Sequence, residues 1–204
     1  MSEPGRIVTQ APPLGRLAAF EKVSWLKEYQ ASEGELARRL GAFPQGIFLL
    51  PVDGEDVSQV TVSPKDVPTL ESIEGFEQMR DIPVHQESRT LWITNLATKM
   101  GKRGGGYLTT LLRYVLGWAG EQGYGEIVTG ITCYGLKDAK EQGLVSSPQD
   151  YMQKGMNPAL RAIQKAARAS GVETWNSDPI PNYWEDDSDS LGYGVLVRII
   201  LVED

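Results

Sequence analysis

The sequence predicts a mixed α/β fold (α+β in the order of its elements), with a central β-sheet carrying helices on its faces. Three observations lead there. An apolar, β-branched run at 91–98 passes through a glycine-rich turn into a segment of helical periodicity, then into a second apolar run at 126–132. That is the order of a parallel strand pair joined by a crossover helix. Asp53-Gly54 separates two strand-like runs at 46–52 and 57–62, as a hairpin turn does. Val195, Val197, Ile199 and Leu201 alternate through 192–202 and give a closing strand.

Taken in order, residues 1–13 contain Pro and Gly and predict an irregular start. Leu17, Ala18, Val23, Trp25 and Leu26 are compatible with a helix within 14–29. Ser32-Glu33-Gly34-Glu35 is a capping box, so a short helix runs through Leu40 and ends at Gly41. Residues 63–90, with Pro64, Pro68 and Pro83, read as a long loop with a helical turn at 71–79. Connections of that length are functional or mobile. His85 lies in this loop, where a solvated histidine is the first reading and a catalytic one the second. Leu108, Leu111, Leu112, Val115, Leu116 and Ala119 form a helical stripe that stops at Gly123. The nearly apolar strand at 126–132 suits a sheet covered on both faces. Residues 137–156 are polar and loop-like. Asn157-Pro158 opens a helix that runs to Ser170 and closes at Gly171, followed by a strand at 172–175. No internal repeat or compositional break divides the 204 residues, which read as one domain, 1–204.

Composition bounds the function. A hydrophobic fraction of 41% with 23% charged residues is that of an ordinary globular protein. A formal net charge of −7 argues against a broad nucleic-acid or anionic-membrane surface. No apolar run reaches membrane-spanning length and the first residues lack a signal-peptide pattern, so a cytoplasmic location is expected. The single cysteine, Cys133, excludes an internal disulfide, and with the single histidine it excludes a His/Cys zinc site, so no metal is expected. A buried strand position is the first reading of Cys133, a covalent acyl carrier the second.

The one basic spot is the glycine turn, Lys99-Met100-Gly101-Lys102-Arg103-Gly104-Gly105-Gly106. Strand, basic glycine loop and helix together aim backbone N–H groups and the positive end of a helix dipole at one place, which suits an anion such as a pyrophosphate. Lys99, Lys102 and Arg103 add charge-assisted contacts. Neither a Walker loop nor a complete GxGxxG is present.

This segment resembles the acyl-CoA-binding segment of the GCN5-related N-acetyltransferase superfamily. There a strand ending in Leu-Ala-Val is followed, five residues after the Val, by an Arg-Gly-x-Gly-x-Gly/Ala loop and a helix. Here Leu96, Ala97 and Thr98 stand in the strand and Arg103, Gly104, Gly105, Gly106, Tyr107 and Leu108 in the loop, with Leu108 in place of the last small residue. The resemblance implies that these residues bind acetyl-CoA or another acyl-CoA. It also implies that the two parallel strands splay apart, so that the pantetheine arm pairs with backbone groups near Leu96 and Thr98. The loop at 63–90 would lie over the acceptor site. A second likeness, through Gly130-Ile131-Thr132-Cys133, Ser147–Met152 and Asn182–Val197, is to one branch of the superfamily, found fused to nitrilase-like hydrolases and in polyketide loading modules. This chain keeps Gly192-Tyr193-Gly194-Val195-Leu196 and has Trp184 and Ser190 where that branch has Arg and Asn.

Acyl transfer from a thioester to an amine needs a polarised carbonyl, a deprotonated amine and a protonated thiolate. The superfamily's acid is a tyrosine on the helix after the second parallel strand. The helix at 157–170 has none, and Tyr134 and then Tyr151 are the substitutes. Thr132 matches the threonine that polyketide-loading relatives use with a histidine to decarboxylate malonyl groups, but this helix carries no histidine. The acidic run Glu185, Asp186, Asp187, Asp189 is read as a solvated loop, or as a seat for a cationic acceptor. The resemblance thus implies direct N-acyl transfer to a small amine, with acyl loading onto a carrier protein or non-catalytic acyl-CoA binding as alternatives. A homodimer is left open.

Overall fold

In the computed structural model, residues 8–66, 69, 72–73, 78, 82–183 and 189–201 are described. One sheet runs through them, with seven strands in the order β1-β2-β3-β4-β5-β7-β6. The strands are β1 (Thr9–Gln10), β2 (Ile47–Val52), β3 (Glu55–Pro64), β4 (Thr90–Thr98), β5 (Glu126–Thr132), β6 (Glu173–Asn176) and β7 (Gly194–Ile200). Only β4 and β5 pair parallel. The helices are α1 (Leu14–Ser24), α2 (Glu33–Ala42), α3 (Tyr107–Glu121), α4 (Leu136–Glu141), α5 (Pro148–Gln153) and α6 (Pro158–Ser170). The mixed sheet flanked by helices is the fold class the sequence predicts.

Local chemistry explains the boundaries. Asp53 and Gly54 both take positive φ, 51° and 79°, the backbone a two-residue hairpin turn demands. Ser32 and Glu35 form the capping box reciprocally at the start of α2. The Asn157 side chain accepts from the amides of Ala159 and Leu160, with Pro158 in the first turn of α6.

Three expectations are corrected. Residues 137–156 are not simply loop. They hold α4 and α5, six residues each, and α5 starts where the Ser147 hydroxyl accepts from the Asp150 amide. Within 1–13, Thr9 and Gln10 pair with Leu49 and Phe48 as a short edge strand, while residues 1–7 lie outside the description. In α1 the inward stripe is Leu17, Ala18, Phe20, Glu21 and Ser24, and Val23 and Leu26 face solvent. Most of the helical turn expected at 71–79 lies outside the described residues.

The sheet has two unlike faces. On one, Leu111, Leu112, Val115, Leu116 and Ala119 of α3 and Leu160, Ile163, Ala166 and Ala167 of α6 pack on Val60, Val62, Leu91, Ile93, Ile127, Ile131 and Val195. On the other, α1 and α2 cover Ile47, Leu49 and Ala97, and a smaller cluster gathers Trp92, Val128, Leu196 and Tyr183.

Candidate active site

Strands β4 and β5 are paired only at their beginnings. Thr90, Leu91 and Trp92 face Glu126, Ile127 and Val128, and the pairing goes no further, although β4 continues to Thr98 and β5 to Thr132. The β3–β4 register slips where this happens: Thr61 faces Asn95 and Val62 faces Ile93, so Thr94 is the extra residue of a bulge. The Lys99 amide donates to the Val57 carbonyl (3.0 Å), which fixes the alternation of the ladder. Asn95 and Ala97 therefore direct their backbone groups to β3, and Leu96 and Thr98 direct theirs into the opening. The side chains agree: Ser58 and Thr98 hydroxyls lie 3.3 Å apart, as in a non-hydrogen-bonded pair. Across the opening, Gly130 and Thr132 of β5 present their backbone, and the Thr132 carbonyl accepts from Asn157 Nδ2 (2.8 Å).

The glycine loop follows Thr98 directly. Gly104 and Gly106 take φ of 83° and 75°, and Gly106 caps α3 with no side chain on the free amides of its first turn. The first turn of α3 carries no acidic residue, so its positive end stays uncompensated. The basic residues differ from expectation. Lys99 ion-pairs with Glu55 and holds that carboxyl below its ordinary range, and Lys102 lies 3.9 Å from the same carboxylate. Arg103 has no ion pair among the described residues, and its guanidinium stands 5.9 Å from the centre of the Tyr134 ring. Tyr107 and Leu108 are half-buried and pack on the main core, so Leu108 turns away from the loop.

The remaining predicted residues separate. Tyr134 is exposed at the mouth of the opening. Tyr151 is buried, and its hydroxyl donates to the Tyr134 carbonyl; burial pushes it up to about 12. Cys133 is buried, with Sγ 3.9 Å from Met152 Sδ. The His85 Nδ1 lies against the Asp66 carboxylate in solvent, and the His85 amide donates to the carbonyl of Pro64, the residue opposite Leu91 at the closed end of the strand pair. Residues 184–188, with most of the acidic run, lie outside the description.

Two residues at the opening escaped the sequence reading. Tyr183 follows Asn182, which takes φ of 55°. A Cβ at Gly130 would lie 1.5 Å from the Tyr183 hydroxyl, and one at Gly194 would lie 2.3 Å from its ring. The tyrosine thus lies flat over β7 and β5, with its hydroxyl above Gly130. That hydroxyl is buried without a partner among the described residues, and burial raises its pKa. Continuing the Trp92–Val128 register past the bulge puts Asn95 level with Gly130, and the Asn95 Oδ1 is also buried without a partner. The glycines at 130 and 194 were the available signal, since each leaves room for an aromatic ring.

The splayed parallel strands and the glycine loop running into a helix are the arrangement that the resemblance to the GCN5-related N-acetyltransferase fold implies. No protein-family profile matches the sequence, and no curated protein does. Solved structures match along nearly their whole length. The chain is similar to the GphF GNAT-like decarboxylase in complex with isobutyryl-CoA, with 22% identity over 96% of this chain and 100% of the other, at a TM-score of 0.77. It is similar to the loading GNATL domain of CurA from Lyngbya majuscula, with 19% identity over 96% and 97% and a TM-score of 0.71. The diaminobutyrate acetyltransferase EctA from Paenibacillus lautus, solved with its substrate and coenzyme A, matches at 12% identity over 98% and 99%, with a TM-score of 0.55. Among the described residues no helix is long and apolar enough to cross a membrane.

Proposed function

We propose that the protein is an acyl-CoA-dependent acyltransferase, with acetyl-CoA as the first candidate donor and a small amine as the acceptor. The observation that carries this is the run of unpaired β4 backbone at Leu96 and Thr98 leading straight into the uncapped N-terminus of α3. The first offers β-type pairing to the two amides of a pantetheine arm, and the second an anion seat for its pyrophosphate. Arg103 supplies the cation, since Lys99 and Lys102 lie beside Glu55. Neighbours that carry coenzyme A or isobutyryl-CoA support the donor class. Acyl-CoA chemistry suits the cytoplasmic location expected from the sequence.

With the thioester in the opening, a β4 amide polarises the carbonyl. The amine nitrogen attacks the carbonyl carbon, the C–S bond breaks, and the thiolate takes a proton. The amine's surplus proton leaves to water. Tyr183 is our choice as the thiolate's proton donor, because its hydroxyl is unpartnered above Gly130. The Tyr151 hydroxyl already donates its hydrogen bond to the Tyr134 carbonyl, and Tyr134, the next candidate, lies out at the mouth beside Arg103. Thr132 lines the β5 side. Wild type should melt higher with acetyl-CoA, by ~2.7 kcal/mol of stabilisation at a hundred times the dissociation constant. Arg103→Glu should weaken that binding roughly 10- to 100-fold, as expected for a lost charged hydrogen bond. No shift with any thioester would end the reading.

A second reading is acyl loading or malonyl decarboxylation with a carrier protein, favoured by the higher TM-scores of the GphF and CurA domains. Release of carbon dioxide from malonyl-CoA would select it. His85, the only histidine, lies at the closed end of β4, so such a reaction would have to run without a histidine at the opening.

A further inference from the structure

The β4–β5 opening has a fixed depth, set by where the two strands come together. Their last paired residues are Trp92 and Val128. One residue further on, the Thr129 hydroxyl donates to the Ile93 carbonyl (3.4 Å) and bridges the strands once more. Beyond that bridge β4 bends at the Thr94 bulge, and Asn95 comes level with Gly130.

Both faces of this closed end are filled. Toward α3 and α6, Ile93, Ile127 and Ile131 belong to the main apolar core. Toward α1, Trp92, Val128, Leu196 and Tyr183 form one buried cluster with Ile73. Two glycines make room for the tyrosine. A Cβ at Gly194 would lie 2.5 Å from its Cγ, and one at Gly130 would lie 2.4 Å from its Cζ. The ring therefore runs from β7 across to β5 with its hydroxyl end toward β4, and with Trp92 it roofs the end of the opening.

A donor laid along β4 reaches this end with little length to spare, a step that rests on the acyl-CoA reading. With the two pantetheine amides paired at Thr98 and Leu96, the sulfur follows the second amide nitrogen by about three bonds, the span of one backbone residue. The sulfur then comes level with Asn95 and Gly130. From Gly130 to the Thr129 bridge is one strand residue, ~3.3 Å, which holds roughly two or three bonds. We propose that Trp92 and Tyr183 are the specificity-determining residues for acyl length, closing the opening so that groups of about two or three carbons fit and longer ones do not. An acetyl or propionyl group ends at the Thr129 bridge. Any further methylene must leave the plane of the sheet, where it meets the Trp92 indole and the Tyr183 ring on one side and the isoleucines on the other.

The test is calorimetric titration of free CoA and its acetyl, propionyl, butyryl and hexanoyl thioesters into wild type, Trp92→Leu and Tyr183→Leu. Free CoA ends at the sulfur and serves as the reference in each protein. The readout is the Kd of each thioester relative to free CoA, a ratio that a general loss of stability does not move. Wild type should bind acetyl- and propionyl-CoA about as tightly as free CoA, and hexanoyl-CoA at least ~10-fold more weakly, the low end of what one methylene is worth in an apolar pocket. Each Leu variant should bring hexanoyl-CoA to the level of acetyl-CoA. Trp92→Phe, a milder change, should extend the limit to butyryl-CoA and carries the test where a Leu variant does not fold. A wild type that binds all four thioesters alike, or a limit that no variant shifts, overturns the proposal, while binding of free CoA keeps the acyl-CoA reading. Binding of neither CoA nor any thioester sinks both.

Discussion

The two faces of the sheet are built to different rules. Under α3 and α6, apolar side chains meet apolar strands, and that face contributes no unpartnered buried polar atom among the described residues. Under α1, and beside it at Tyr183, a face of similar burial keeps six of them. Dry, close-packed contact maximises stability, whereas unpartnered groups are retained where a ligand or water completes them. The difference teaches that the first face holds the fold together and anchors the glycine loop through α3. The second face is where the surplus polar chemistry is kept.

The comparison is broken most severely on the apolar face. Leu112→Ala removes a side chain that is 1% exposed between α3 and the sheet, and should cost ~2–5 kcal/mol in denaturant unfolding. A loss under 1 kcal/mol would mean that this face is less tightly packed than its burial implies. The loss belongs to the whole domain, so acyl-CoA affinity per folded molecule should change little.

A pair of tyrosines sharpens the contrast. Tyr151 and Tyr183 are each 2% exposed, but one hydroxyl has an acceptor and the other has none. Tyr151→Phe should lose about 1 kcal/mol of stability and leave turnover intact. Tyr183→Phe should be neutral or stabilising and should lower kcat. Unfolding curves and transfer rates for the two variants decide this, and the reverse assignment would move the acid to the α5 side.

Much of the frame was legible because short-range chemistry sets it. Asp53-Gly54, the Ser32–Glu35 box and Asn157-Pro158 each specify a local backbone whatever surrounds them. The glycine loop was legible for the same reason. The short helices α4 and α5 were not, since six polar-rich residues give no clear period and Tyr151 is anchored by a distant carbonyl. The site was legible only in part. The donor-binding half we propose uses backbone of Leu96 and Thr98, which any residue type supplies. Glu21 and Ser24 were hidden because they sit at core positions of α1, where a reading by hydrophobic period looks past polar residues. Tyr183 was missed because a buried aromatic ring looks like any other core residue, and only its hydroxyl, buried without a hydrogen-bond partner among the described residues, sets it apart.

Glu21 gives the smallest and most direct test of the difference between faces. Burial pushes its carboxyl above the ordinary range, outweighing the Ala31 amide and the Arg39 charge, which pull it down. A folded pKa raised above the unfolded value means that folding favours the protonated form. The associated stability is then fully present below the unfolded pKa and is lost as pH rises through the folded one. Glu21→Gln keeps the shape and the Ala31 contact but cannot ionise. The variant should therefore match wild type in melting temperature near pH 4 and gain on it as pH rises toward 7, in the absence of any amine. A difference between the two proteins that is flat with pH would mean that the carboxylate is already solvated and that the α1 face is wet rather than dry.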